Sequence, residues 1–234
     1  MECTEECKLN GEFSLAELFP FKRPLSSRQR KYFVEYFALE ILKFCFGDTY
    51  DSFFVSDKPD IQNDEKRIGI EVTEAISREQ AQISGEFTKY QFENNQTVRE
   101  RRKTIIEARG GKLDELGLTY PVKNSDIEKR IFQNALNSKM EKLESYKEVG
   151  FTQIGLFIYY DEPPIPFKIE ELKLYYDEIL NQYQNKYDLI YFVYPCGLLC
   201  YNITENNISV IRIGRVQYEK LQYNARQKVE EKWM

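Results

Sequence analysis

Residues 152 to 160, Thr-Gln-Ile-Gly-Leu-Phe-Ile-Tyr-Tyr, form a near-continuous apolar run. A short run of this kind reads as a strand covered on both faces, which demands packed layers above and below a sheet. Leu189 to Tyr194 is a second such strand. Helical stretches lie between and around them, so the expected class is α/β, with a central mixed sheet flanked by helices in three layers. The length of 234 residues suits one domain carrying an insertion, and 42% hydrophobic residues are enough for a packed core.

The other elements follow from local signals. Residues 1 to 26 are polar, broken by Pro20 and Pro24, and read as an N-terminal arm ahead of a single domain at 27–234. A helix begins at Ser26-Ser27 and runs to about Cys45, where Gly47 stops it. Phe33, Phe37, Ile41 and Phe44 form its apolar stripe. The stretch from Ser77 to Asn124 reads as an insertion whose middle, Glu86 to Arg109, favours one helix, with a loop from Gly110-Gly111. Helices are expected at Asp126–Glu148, 168–185 and Gln217–Trp233, and a closing hairpin at Gly197–Ile203 and Ile208–Ile213.

The stretch between the first helix and the insertion carries chemistry. Residues 52 to 76 hold two short apolar runs around a polar turn, Gln62 to Lys66, and read as a hairpin. Asp60 ends the first run and Glu71 lies inside the second. Side-chain alternation puts Glu71 and Thr73 on one face and Ile70 and Val72 on the other. A carboxylate within a sheet is costly unless it is paired or binds a cation, so Asp60 and Glu71 are candidate ligands for a hard ion such as Mg²⁺ or Mn²⁺.

Pro59-Asp60 and Glu71-Val72-Thr73, in this order of elements, resemble the motif of the PD-(D/E)XK nuclease superfamily, over roughly residues 27 to 195. The resemblance implies a restriction-endonuclease-like core and metal-dependent hydrolysis of nucleic-acid phosphodiesters. It also implies an acid from the first helix, and Glu35 aligns with it, while spacing from Tyr36, Phe37 and Phe44 makes Glu40 the more buried rival, with Lys43 close by. Thr73 stands where the superfamily has its catalytic lysine. Some lineages supply that lysine from a neighbouring helix, and the stretch Ala135 to Tyr146 looks like such a segment. There the stripe Ile127, Ile131, Ala135, Lys139, Lys142, Tyr146 turns from apolar to basic, with Lys139 the first choice and Lys142 the second. Stand-alone members often serve restriction, phage defence or mobile elements, and the resemblance carries that expectation here.

Composition narrows the chemistry further. Histidine is absent, which removes His-ligated zinc hydrolases, His-dependent nucleases and Ser-His-Asp hydrolases. The five cysteines have the wrong gaps for a zinc knuckle (Cys3/Cys7 and Cys196/Cys200) and read as free thiols, with Cys45. No membrane span and no signal-peptide pattern is visible, so a cytoplasmic protein without a membrane partner is expected. Net charge is −5, so any nucleic-acid surface must be local. Arg28, Arg30 and Lys31 (with Lys22 and Arg23), and Arg99, Arg101 and Arg102 (with Lys103 and Arg109), are the candidate phosphate contacts, the alternative being solvated helix faces. The expected partner is nucleic acid, DNA first, with a homodimer or a protein partner as further options. The loss of the motif lysine favours an alternative, an inactive module of the same fold that binds nucleic acid or protein. A plain interaction protein, to which 17 tyrosines are equally suited, is the third reading.

Overall fold

The computed structural model describes residues 21, 24–114, 117–119, 125–161, 169–195 and 197–233. The arm up to residue 20, Lys22, Arg23, Cys3, Cys7 and Cys196 lie outside the described residues, as do the side chains of Ile127, Ile169 and Leu172. The described chain is α/β, with one seven-stranded mixed sheet flanked by six helices.

Helix α1 (Ser27–Phe46) starts where Ser26 accepts from the Gln29 amide while Gln29 reaches back to the Ser26 amide, a reciprocal cap. Gly47, at φ 50°, ends it. Strands β1 (Phe54–Val55), β2 (Ile61–Asn63) and β3 (Ile68–Glu74) form an antiparallel edge. The hairpin partner of β3 is Ile61–Asn63, so Gln62 and Asn63, expected next to or in the turn, lie in a strand and the turn falls at residues 64–67. There Asn63 accepts from the Lys66 amide at 2.9 Å, an Asx-type turn that sets the reversal.

The insertion holds two helices, α2 (Arg78–Gln91) and α3 (Gln96–Ala108), rather than one. Asn95 restarts the chain by accepting from the Val98 amide, a cap signal that outweighs helix propensity across the break. A small hairpin, β4 (Lys112–Asp114) and β5 (Gly117–Thr119), takes the place of the expected loop. Helix α4 (Ser125–Glu148) then leads into β6 (Gln153–Tyr159), α5 (Ile169–Leu180), β7 (Leu189–Tyr194), β8 (Gly197–Asn202), β9 (Asn207–Arg212) and α6 (Arg215–Trp233).

Sheet order is β1-β2-β3-β6-β7-β8-β9, with β3, β6 and β7 parallel at the centre and antiparallel pairs on both sides. Two cores cover the two faces. On one, α1 and α6 pack Phe37, Ile41, Leu221 and Val229 against Ile70 and Val72. On the other, α4 and α5 pack Phe132, Leu136, Leu143 and Tyr176 against Ile154, Leu156 and Ile158. Being covered by both the sheet and α6, α1 buries a wide face. Phe44, near its C-terminal end, is nevertheless 47% exposed, unlike the rest of its expected stripe. Cys45 and Cys200 are free thiols that burial pushes up to about 11. No described helix is long and apolar enough to cross a membrane.

One glycine sets the approach of the acidic loop to the sheet. A Cβ on Gly69 would lie 2.3 Å from Cγ of the buried Pro59. The bare backbone of β3 therefore lets Pro59 pack flat and brings the next residue, Asp60, alongside β3. We expect Gly69→Ala to destabilise the protein by about 1–3 kcal/mol in denaturant titration, since overpacking forces backbone movement. An unchanged midpoint would show that this contact does not hold the loop.

Candidate active site

Antiparallel register pairs Ile61 with Ile70, and one step further along places Asp60 opposite Glu71. Parallel register pairs Glu71 with Leu156 of β6, so Glu71 points toward the layer of α4 and α5. From α4, Lys139 Nζ reaches Glu71 Oε1 at 2.5 Å and Lys142 Nζ reaches the same oxygen at 2.7 Å. The Tyr146 hydroxyl donates to the other oxygen, Oε2. Spacings of three and four residues put these three side chains on one stripe of the helix. Glu71 is fully buried, Lys139 is 17% exposed and Lys142 is 48% exposed along the side chain.

The second carboxylate, Asp60, accepts from the Val72 amide at 2.8 Å through Oδ2. Its other oxygen lies 3.7 Å from Lys31 Nζ, which is also 3.4 Å from Glu35 Oε1. One exposed ammonium of α1 thus stands between two buried acids. Glu35 is 2% exposed, and neither of its oxygens makes a hydrogen bond. Three acids from three elements, Glu35, Asp60 and Glu71, and three lysines, Lys31, Lys139 and Lys142, form one connected cluster.

Burial pushes the Glu71 carboxyl up, but Lys139, Lys142 and Tyr146 outweigh it and hold the group below its ordinary range. Asp60 is raised by burial and by the charge of Glu71, against the Val72 amide and the lysines. Glu35 is raised to about 7 by burial and by Asp60, with Lys31 opposing. Burial and the Glu71 charge also keep the Tyr146 phenol protonated, well above its usual range. Three ammoniums thus face three acids, two of which burial and neighbouring charge push toward the protonated form.

Not every candidate lies here. Glu40 is less buried than Glu35 and faces α6, where Lys228 and Asn224 donate to it. Lys43 instead donates to the Asp51 carbonyl at 2.9 Å. Helix α1 is covered on two sides, and the spacing argument could not tell the sheet side from the α6 side. Thr73 shares the face of Glu71 but carries no charge. Lys31, read from sequence as a phosphate contact, is a member of the acid cluster, and its i, i+4 spacing to Glu35 was the signal for that. Tyr146 stood in the right stripe, but its hydroxyl was not read as part of the site.

The other basic residues are largely engaged within the protein. Arg30 pairs with Glu74 at 2.8 Å, and Arg102 with Glu86 at 2.9 Å. Arg28 stacks on Trp233 and Arg99 on Tyr90, each at 4.6 Å. Arg101 is exposed. A cavity of about 270 Å³ opens beside Arg30, Tyr159, Tyr223 and Arg226. None of the clustered acids lines it, and both its guanidiniums already face carboxylates.

Do the residues fit a divalent cation? Among the described residues, no three ligating side chains converge to enclose one. Mg²⁺ rarely needs such a cage, because one or two carboxylates with waters and substrate phosphate complete its octahedron. Asp60 and Glu71 supply two. The donor set fits.

Comparison with family models, with curated proteins and with solved structures returned no match.

The raised Glu35 gives a testable pH dependence. At low pH both folded and unfolded chains hold its proton, and the group has no effect on stability. As pH rises from the ordinary 4.5 through about 7, the unfolded chain loses the proton first, so folding is progressively penalised. Glu35→Gln should therefore stabilise the metal-free protein at pH 8 by on the order of 2 kcal/mol, with the gain disappearing toward pH 4. Melting curves across that range would contradict the assignment if the gain were absent or independent of pH.

Proposed function

We propose that the protein is a metal-dependent nuclease of the PD-(D/E)XK type, with a restriction-endonuclease-like core and its lysine supplied from α4. The observation that carries this reading is the meeting of Lys139 and Lys142 with Glu71 in a strand motif that has lost its own lysine. The layout of the sheet supports it: an acid-bearing helix, a hairpin with two acids, then helices crossing to parallel central strands.

In this reading Asp60 and Glu71 would hold a Mg²⁺ or Mn²⁺ ion, which would lower the pKa of a water and stabilise charge on the phosphate. Glu35 stands behind Asp60 and shares the Lys31 ammonium with it. Lys139, mostly buried and held on Glu71, keeps an ammonium fixed where charge develops on the phosphoryl oxygens, at no cost of reorganisation during the reaction. Lys142, half-exposed, is free to leave Glu71 Oε1 and make room. Tyr146 and the Val72 amide orient the two acids. The substrate expected is nucleic acid, DNA first, and a role in restriction, phage defence or a mobile element follows from the resemblance.

A second reading has a specific observation in its favour. Glu71 already receives three donors, two on Oε1 and one on Oε2, so the site is neutralised without any ion. That arrangement suits a catalytically silent module of the same fold, which binds nucleic acid or a protein.

One experiment separates the two. With Mg²⁺ or Mn²⁺ the protein should cleave DNA or RNA and stop with EDTA, and Asp60→Ala and Glu71→Gln should each abolish cleavage. Lys139→Met should lower turnover by about 10²–10³ with little change in affinity, the cost of one transition-state contact. Cleavage that survives Asp60→Ala would overturn the site. Binding without turnover in any divalent metal would leave the silent module.

A further inference from the structure

We infer that Tyr146 makes this site select Mg²⁺ over Ca²⁺ by reserving one oxygen of Glu71. The inference rests on the nuclease reading, and concerns which ion the site accepts.

The two oxygens of Glu71 are not equivalent. Oε1 faces Lys139 and Lys142, one of them half-exposed, and is the oxygen that an exchanging cation can reach. Oε2 receives the hydroxyl of Tyr146, which is 3% exposed and belongs to the core that also holds Leu143, Ile154 and Leu156. A lysine can swing out to water, whereas a core tyrosine cannot leave without opening a cavity. Glu71 therefore offers a cation one oxygen.

Ion chemistry turns that restriction into selectivity. Mg²⁺ takes six ligands in a tight octahedron and is content with single carboxylate oxygens and waters. Ca²⁺ prefers six to eight oxygens and gains from a bidentate carboxylate, which supplies two at once. With Oε2 committed to a phenol, the bidentate mode is closed, and the larger ion loses its advantage. Tyr146→Phe keeps the ring and frees Oε2. The freed oxygen is then buried and unpartnered, and a bidentate Ca²⁺ would satisfy it.

Tyr187 provides the control. It is equally buried and on the same side, but its hydroxyl donates to the Lys139 carbonyl at 2.8 Å and not to Glu71. Losing that hydroxyl removes a buried hydrogen bond without freeing a carboxylate oxygen.

The test is calorimetric titration of the full chain with MgCl₂ and with CaCl₂, in the absence of nucleic acid. Wild type should bind Mg²⁺ more tightly than Ca²⁺. In Tyr146→Phe the ratio of Ca²⁺ to Mg²⁺ dissociation constants should fall by about tenfold, the scale of one hydrogen bond to a charged group. Tyr187→Phe should leave the ratio as in wild type. Equal affinities in wild type would overturn the inference without any variant, as would an unchanged ratio in Tyr146→Phe or an equal fall in Tyr187→Phe. If wild type binds neither ion, the nuclease reading fails and takes this inference with it.

Discussion

A carboxylate with no solvent exposure, Glu71 in β3, is the constraint on which the surrounding structure depends. An isolated buried anion is strongly unfavourable, and it persists only where charge and hydrogen bonds replace water. Here two ammoniums and a phenol do so, all from α4. The position and rotation of that helix over the sheet are therefore tied to one residue of the strand beneath it. Removing either lysine leaves the other to neutralise Glu71. Removing both would leave a charge whose burial costs about 3–5 kcal/mol.

The fold supplies what this arrangement needs from elsewhere. Parallel β3 and β6 fix Glu71 under α4, and the antiparallel step from β2 to β3 brings Asp60 to the same level. Gly69 allows Pro59 to close in, and the Val72 amide then fixes Asp60. From the opposite layer α1 contributes Glu35 and Lys31. Charged groups from both layers thus meet around the outer parallel strand, β3. Away from that edge the same residue types are used for structure: Arg30 with Glu74, Arg102 with Glu86, Glu40 with Lys228.

Periodicity was sufficient to read most of the architecture. The apolar runs at 152–160 and 189–194 announced covered strands, and the serine and glycine around α1 marked its ends within a residue or two. Local polar signals were harder to weigh. Asn95 splits one apparent helix into two, and Asn63 moves the hairpin turn. At the site, Glu71 stood out as a charge inside an apolar strand, whereas Asp60, Lys139 and Lys142 were joined to it by the resemblance to the nuclease motif. The choice between Glu35 and Glu40 was not legible, because a helix covered on two sides shows the same spacing toward either. Tyr146 was hidden for a related reason: a tyrosine in an apolar stripe reads as core, and only its hydroxyl's direction reveals a second role.

Diffraction from crystals soaked in Mn²⁺, recorded at an anomalous wavelength, decides whether Asp60 and Glu71 share a divalent cation, as proposed. One anomalous peak is expected at about 2.1–2.2 Å from an oxygen of each carboxylate, with Lys142 displaced from Glu71 and Tyr146 still on Oε2. No peak at saturating Mn²⁺, with both lysines remaining on Glu71, would contradict the proposal.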